Sequence, residues 1–319
     1  VGLNLGQMTA KAKSVIGPVA ANASAPDPLH RDHSGPVSER TKALVDALHF
    51  SPPDRVDAPP GLIIVSQISG GTSKTWTSTL VIDAAIRAGR TLHIFENDRQ
   101  DILQAYGSVR RIKLAATEEV VHNPTADIEV HEDLDAALRR LAEHEDETIV
   151  YDTSAASLNR LGYVVDMLNI PDRIVAMGSH CLVLVPVSAR QDIASEALVT
   201  FKVWKSIMPA PHRVVPVIFY RDGDPTRVSE DHPLRSLVAM AEDGCIVQPR
   251  VPLQVLLAHK GSGLPLYQLA DLRDPLATMD IAKRAGIAPV MAELLRRACA
   301  DVLADIDPQM ALLGFRHGA

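Results

Sequence analysis

From residue 61 onward, short apolar runs alternate with longer amphipathic ones. The short runs cover 62–66, 91–95, 148–151, 181–187, 214–220 and 245–247, and they are rich in β-branched side chains. A brief run that is apolar at successive positions, without polar alternation, is the pattern of a strand buried on both faces. Helical spacing covers 74–88, 134–143, 155–168, 192–207 and 233–241, and 290–306 supplies a closing helix. Strand–helix alternation predicts an α/β fold, a doubly wound and mostly parallel sheet flanked by helices. Ligands of such sheets bind beyond the carboxyl ends of the strands. Residues 267–284 read as loop and turn, and no internal repeat is visible.

Residues 1–60 have a different texture. They hold 8 of the 22 prolines and little apolar periodicity, so a flexible tail is expected ahead of a single domain over 61–319. One stretch departs from this. Ser38 is a candidate N-cap, Leu44, Val45, Leu48 and His49 group at helical spacing, and Pro52 and Pro53 end the segment. The tail is too short and too proline-rich for a DNA-binding domain. Val1 stands where Met would, which fits an alternative start or a truncated record, with Met8 as another candidate beginning. Gly17-Pro18 interrupts the Ala/Val-rich stretch near the start, which argues against a secretory signal.

Composition narrows the class. Aromatics are only 4%, so the core must be built from Ala, Val, Ile and Leu. No run approaches the ~18 apolar residues of a membrane span. Cys181, Cys245 and Cys299 form no C-x-x-C pair and are odd in number, as expected of reduced thiols in a cytoplasmic protein. The net charge is -7, so contact with nucleic acid needs a local basic patch. Lys202, Lys205, Arg213, Arg221 and Arg227 are the candidates, and a scattered solvated surface is the simpler reading.

The richest chemistry lies at 62–75, where an apolar strand runs into Gly70-Gly71, then Lys74-Thr75, then a helix. Paired glycines let a chain curl around a phosphate so that main-chain N–H groups point inward, and the helix N-terminus adds partial positive charge. Lys74 would sit on the β- and γ-phosphates, and the Thr75 hydroxyl would ligate Mg²⁺. The strict pattern G-x-x-x-x-G-K-[ST] is not met, because Ile68 and Ser73 occupy its two glycine positions.

This loop resembles that of the ParA/MinD group of deviant Walker ATPases, x-K-G-G-x-x-K-[ST], which dispenses with the first glycine. The likeness extends over roughly 61–270. Glu96-Asn97-Asp98-Arg99-Gln100 stands where the group has D-x-D-P-Q, so the resemblance implies that Asp98 orients the attacking water. Ile149 to Thr153 matches an apolar strand ending in Asp, which implies that Asp152 helps hold Mg²⁺ through water. Val185-Pro186-Val187 is similar to the V-P-V of the group. Ile246 to Arg250, followed by Ala258 to Pro265, resembles the stretch that lines adenine. Together these imply nucleotide contacts from Gly70, Gly71, Thr72, Ser73, Lys74, Thr75, Trp76 and Pro249, with ATP and Mg²⁺ as cofactors. They also imply an ATP-dependent homodimer that engages DNA or a DNA-bound partner. Plasmid-borne partition or conjugative-transfer members (TraL-like, StbB-like) are the relatives implied.

One departure stands out. The signature lysine of the group would fall at position 69, and this chain has Ser69. A lost charge-assisted contact costs about 1.5–3 kcal/mol, and a cation at a phosphoryl-transfer site can contribute ~10³–10⁵ in rate. Hydrolysis is therefore expected to be slow, or the charge to come from elsewhere. Arg99, in place of the proline of the group, is one candidate. Two alternatives stay open: a nucleotide-binding adaptor with little turnover, and a small-molecule ligase or kinase of the dethiobiotin-synthetase type.

Overall fold

The computed structural model describes residues 58–71, 73–97, 101–123, 125–248, 251 and 253–316, together with Leu44, Asp46 and Leu48. All of them belong to the unit Pro36–Ala319, which is distinct from Val1–Gly35. Among the described residues there are seven strands: β1 Leu62–Val65, β2 Thr91–Glu96, β3 Val109–Arg111, β4 Glu147–Asp152, β5 Cys181–Ser188, β6 Arg213–Phe219 and β7 Ile246–Val247. They form one sheet in the order β3-β2-β4-β1-β5-β6-β7, and every pairing is parallel.

The apolar runs are strands because both of their faces are covered. In β1, Leu62 and Ile64 enter one core while Ile63 and Val65 enter the other. The same alternation divides Val183 and Val185 of β5 from Leu182 and Leu184. The first core takes its helical side chains from α4 (Glu132–Leu141), α5 (Leu158–Met167), α6 (Ile170–Ala176), α7 (Gln191–Ile207) and α8 (Pro233–Ala239), which follow the short α2 (Thr117–His122) and α3 (Ala126–Glu129). The second core packs beneath α1 (Lys74–Arg87) and α12 (Pro289–Ala311). A parallel strand must return by a crossover, and right-handed crossovers placed on both sides of β1 cover both faces. The doubly wound α/β architecture expected from the pattern is the one found.

Three features differ from the sequence reading or go beyond it. Residues 267–284 are not loop and turn, since they contain most of α10 (Leu266–Ala270) and α11 (Pro275–Ala285). The Asp274 side chain accepts from Leu276 N–H at 3.0 Å, Pro275 opens the helix, and Gly286 closes it at φ 65°. That is a capped helix whose apolar face is weak because Leu276 and Met279 remain exposed. Another helix, α9 (Leu253–Ser262), runs through the segment expected to follow the adenine stretch. Leu44 and Leu48 are helical and fully packed in the first core, at 0% and 4% exposure. All three cysteines are buried and unbridged. Among the described residues no helix is long and apolar enough to cross a membrane.

Candidate functional site

β1 lies between β4 and β5. The chain leaves β1 toward β2 on one side and later crosses from β4 to β5 on the other, so the carboxyl end of β1 is where the winding direction changes. A crevice opens at such a point because neighbouring connections depart to opposite faces. The loop from Ser66 to Ser73 emerges there and leads directly into α1.

The start of the loop is gripped from α7. Gln67 is fully buried; its amide donates to the Pro186 carbonyl at 3.2 Å, and its Oε1 accepts from Thr200 Oγ1 at 2.9 Å. The hydroxyl of Ser69 donates to the Glu196 carboxylate. Farther on, the chain opens outward. Gly70 and Gly71 are exposed, and a Cβ added at either would meet nothing within 4 Å. Gly71 has φ 66° and Ser73 has φ 60°. Ser73 thus occupies, in left-handed geometry, the place where the strict phosphate-loop pattern has glycine, at a cost of order 1 kcal/mol. This turn concentrates curvature just before a helix N-terminus, whose first N–H groups no earlier turn can accept.

Lys74 is only 7% exposed, and its Nζ donates back across the loop to the Ser69 carbonyl at 2.8 Å. The ammonium therefore lies over the loop rather than out in solvent. One residue on, Thr75 Oγ1 donates to Asp152 Oδ2 at 2.9 Å, and Ser78 Oγ donates to Asp152 Oδ1 at 2.9 Å. Asp152 ends β4 at 1% exposure. Oxygen donors of this kind, one hydroxyl and one carboxylate, suit a hard cation such as Mg²⁺. Trp76 is buried against His259, ring centroids 5.8 Å apart and edge-on. It packs the helix against α9.

Other predicted residues are placed as follows. Asn97 holds the ends of β2 and β4 together: its Nδ2 donates to Tyr151 Oη at 3.3 Å, and its Oδ1 accepts from Ser154 N–H. Thr72, Asp98, Arg99, Pro249 and Arg250 lie outside the described residues. Gln248, just before Pro249, is buried and donates from Nε2 to Thr77 Oγ1 at 2.6 Å, so the end of β7 is fastened to α1. Four of the five basic candidates separate. Lys205 and Arg213 both bind Asp243 at the amino end of β6, whereas Arg221 and Arg227 follow its carboxyl end.

Three contacts escaped the sequence reading. Ser78 sits one helical turn beyond Thr75, so its place on the Thr75 face was readable from spacing. Glu196 and Arg221 were not, because each reaches the loop from more than a hundred residues away. Arg221 Nη1 donates to the Gly71 carbonyl.

No family model matches the chain, and no curated protein does either. Among solved structures, the chain is similar to the MinD cell division protein of Aquifex aeolicus at 14% identity, covering 70% of this chain and 95% of that one with a TM-score of 0.39. Likewise similar is the ATP complex of McdA from Cyanothece, at 11% identity over 72% and 98% of the two chains, TM-score 0.39. The cell division protein FtsY of Thermotoga maritima follows at 14% identity over 66% and 67%, TM-score 0.36.

Proposed function

We propose that this chain is a ParA/MinD-type P-loop ATPase, binding ATP with magnesium and working as a slow molecular switch. The observation that carries the reading is Lys74 folded over an open, glycine-crested loop beside the Thr75–Asp152 pair. In this reading the nucleotide phosphates rest on the main-chain N–H groups of residues 70–76, and Lys74 exchanges the Ser69 carbonyl for phosphate oxygen. Thr75 and Asp152 would hold Mg²⁺, which supplies charge neutralisation to the phosphates when bound. Asp98 would orient water, and Pro249 would line the base. ATP would favour a homodimer that binds DNA or a DNA-bound partner, serving plasmid partition, positioning or conjugative transfer, and hydrolysis would release it.

A second reading, an adaptor with little turnover, draws support from Glu196. Where the signature lysine of the group would place a cation, this chain sets Ser69 against a carboxylate. Negative charge there opposes the charge that develops on transferring phosphate.

Titration calorimetry with ATP and Mg²⁺ tests the site. Binding is expected for the native chain, with Lys74→Ala weakening it by about 100-fold or more, the scale of a lost charge-assisted contact in a phosphate cradle. Thr75→Ala is expected to remove the increment due to magnesium. Equal affinity of the native chain and Lys74→Ala would defeat the reading.

A further inference from the structure

Among the described residues, two cations reach the loop. Lys74 reaches it from α1, and Arg221, the second residue past β6, reaches it from the other side of β1, where its guanidinium donates to the Gly71 carbonyl. Gly71 belongs to the exposed crest of the loop. Arg221 itself is 56% exposed at its side chain, so the guanidinium rests on the crest without being packed into the protein.

A neutral main-chain carbonyl is a modest partner for a guanidinium. It engages one N–H of five, while a phosphate accepts two in parallel and adds opposite charge. The root of the side chain is held more firmly than its tip. The adjoining Asp222 accepts from Ser188 Oγ at 2.7 Å, and Ser188 is the fully buried last residue of β5. Arg221 Nε lies 3.9 Å from Asp222 Oδ1. The backbone at 221–222 is thereby pinned to the sheet end while the guanidinium can exchange partners a few ångströms away.

Charge supplies the reason for an exchange. The rim at position 69 carries a hydroxyl bound to Glu196, so the loop has an acidic neighbour where a second cation would balance a phosphate chain. Of the two basic candidates that follow β6, Arg221 touches the loop, whereas Arg227 pairs with Asp224.

We infer that Arg221 is a phosphate-contacting residue: on nucleotide binding its guanidinium leaves the Gly71 carbonyl for the phosphate chain within the same protomer. This rests on the phosphate-loop reading above and adds to it a residue and a specificity. A triphosphate carries more charge than a diphosphate, so a cation at the exposed crest favours ATP over ADP. The cation acts in the same chain as the loop, so the preference needs no partner subunit.

Calorimetric titration of the native chain, Arg221→Ala and Arg221→Lys with ATP·Mg²⁺ and with ADP·Mg²⁺ tests this. Arg221→Ala is expected to weaken ATP by about 10- to 100-fold and ADP by less than about 3-fold, one contact fewer being at stake. Arg221→Lys should recover part of the ATP affinity as a point charge. An equal loss for both nucleotides would mean that Arg221 only shapes the loop through Gly71, and that result, or no loss at all, overturns the inference while leaving the phosphate loop intact. Failure of the native chain to bind either nucleotide overturns both together.

Discussion

Asp152 accepts hydrogen bonds on both carboxylate oxygens, from Thr75 and from Ser78. The sequence showed an acid at a strand end, and the helical phase of 75 and 78 showed two hydroxyls on one face. What it did not show is that these two features meet. Glu147, at the other end of the same strand, shows a different use of a buried acid. Its carboxylate is 4% exposed and takes Arg140 Nη2 at 2.5 Å and His93 Nε2 at 2.6 Å. The Arg140 hydrogen bond, helped by His93, holds its pKa down to about 2 from an ordinary 4.5. A depressed acid contributes stability that is present above the unfolded-state pKa and lost as pH falls through the folded one. Native stability should therefore drop between about pH 4.5 and pH 2 more steeply than that of Glu147→Gln, the variant being the weaker at pH 7. Denaturant melts at several pH values check this, and parallel curves would count against it.

Among the elements, β7 is the one that depends most on distant chain. It has two residues and sits at the edge of the sheet, where main-chain groups on the outer side need partners. Gln309 of α12 supplies them: its Oε1 accepts from Val247 N–H at 2.7 Å, and its Nε2 donates to the Val247 carbonyl at 2.8 Å. A side-chain amide thus stands in for one residue of an eighth strand. Gln309→Leu would leave both groups buried and unpaired, at a cost of about 2–4 kcal/mol. Urea denaturation measures this, and a loss under about 0.5 kcal/mol, the range of an ordinary surface change, would refute the role. The same helix is tied to α1 by Arg87, which pairs with Asp83 at 3.0 Å and with Asp307 at 2.7 and 2.5 Å. At its own end α1 is closed by a Schellman turn, Gly89 N–H to Ile86 O and Arg90 N–H to Ala85 O. The Gly89 stop was legible in the sequence. α11 carries little apolar spacing, since Leu276 and Met279 face solvent, and only Asp274-Pro275 and Gly286 mark its ends in the sequence.

At the scale of the whole molecule, the order of strands places the loop at the change of winding beside β4 and β5, and brings Arg221 of the β6 end to it. If ATP sets the proposed switch, the state of assembly should follow the nucleotide. Sedimentation velocity is expected to show paired chains with ATP and Mg²⁺ in excess and single chains with ADP; the same distribution under both would remove the dimer from the proposal. Arg221→Ala, by lowering ATP occupancy, should need more ATP to reach the same pairing.

The sequence alone determined the alternation of strands and helices, the parallel class of the sheet and the position of the Gly70–Thr75 loop at a strand end. These are local properties, set by apolar period, glycine freedom and helix phase over a dozen residues. Tertiary structure alone decided that Glu196 meets Ser69, that Arg221 reaches Gly71, that Gln309 completes β7 and that Leu44 and Leu48 enter the core. Each of those contacts joins segments far apart in the chain, and no pattern within either segment encodes the other; only the crossing order of the sheet sets them side by side.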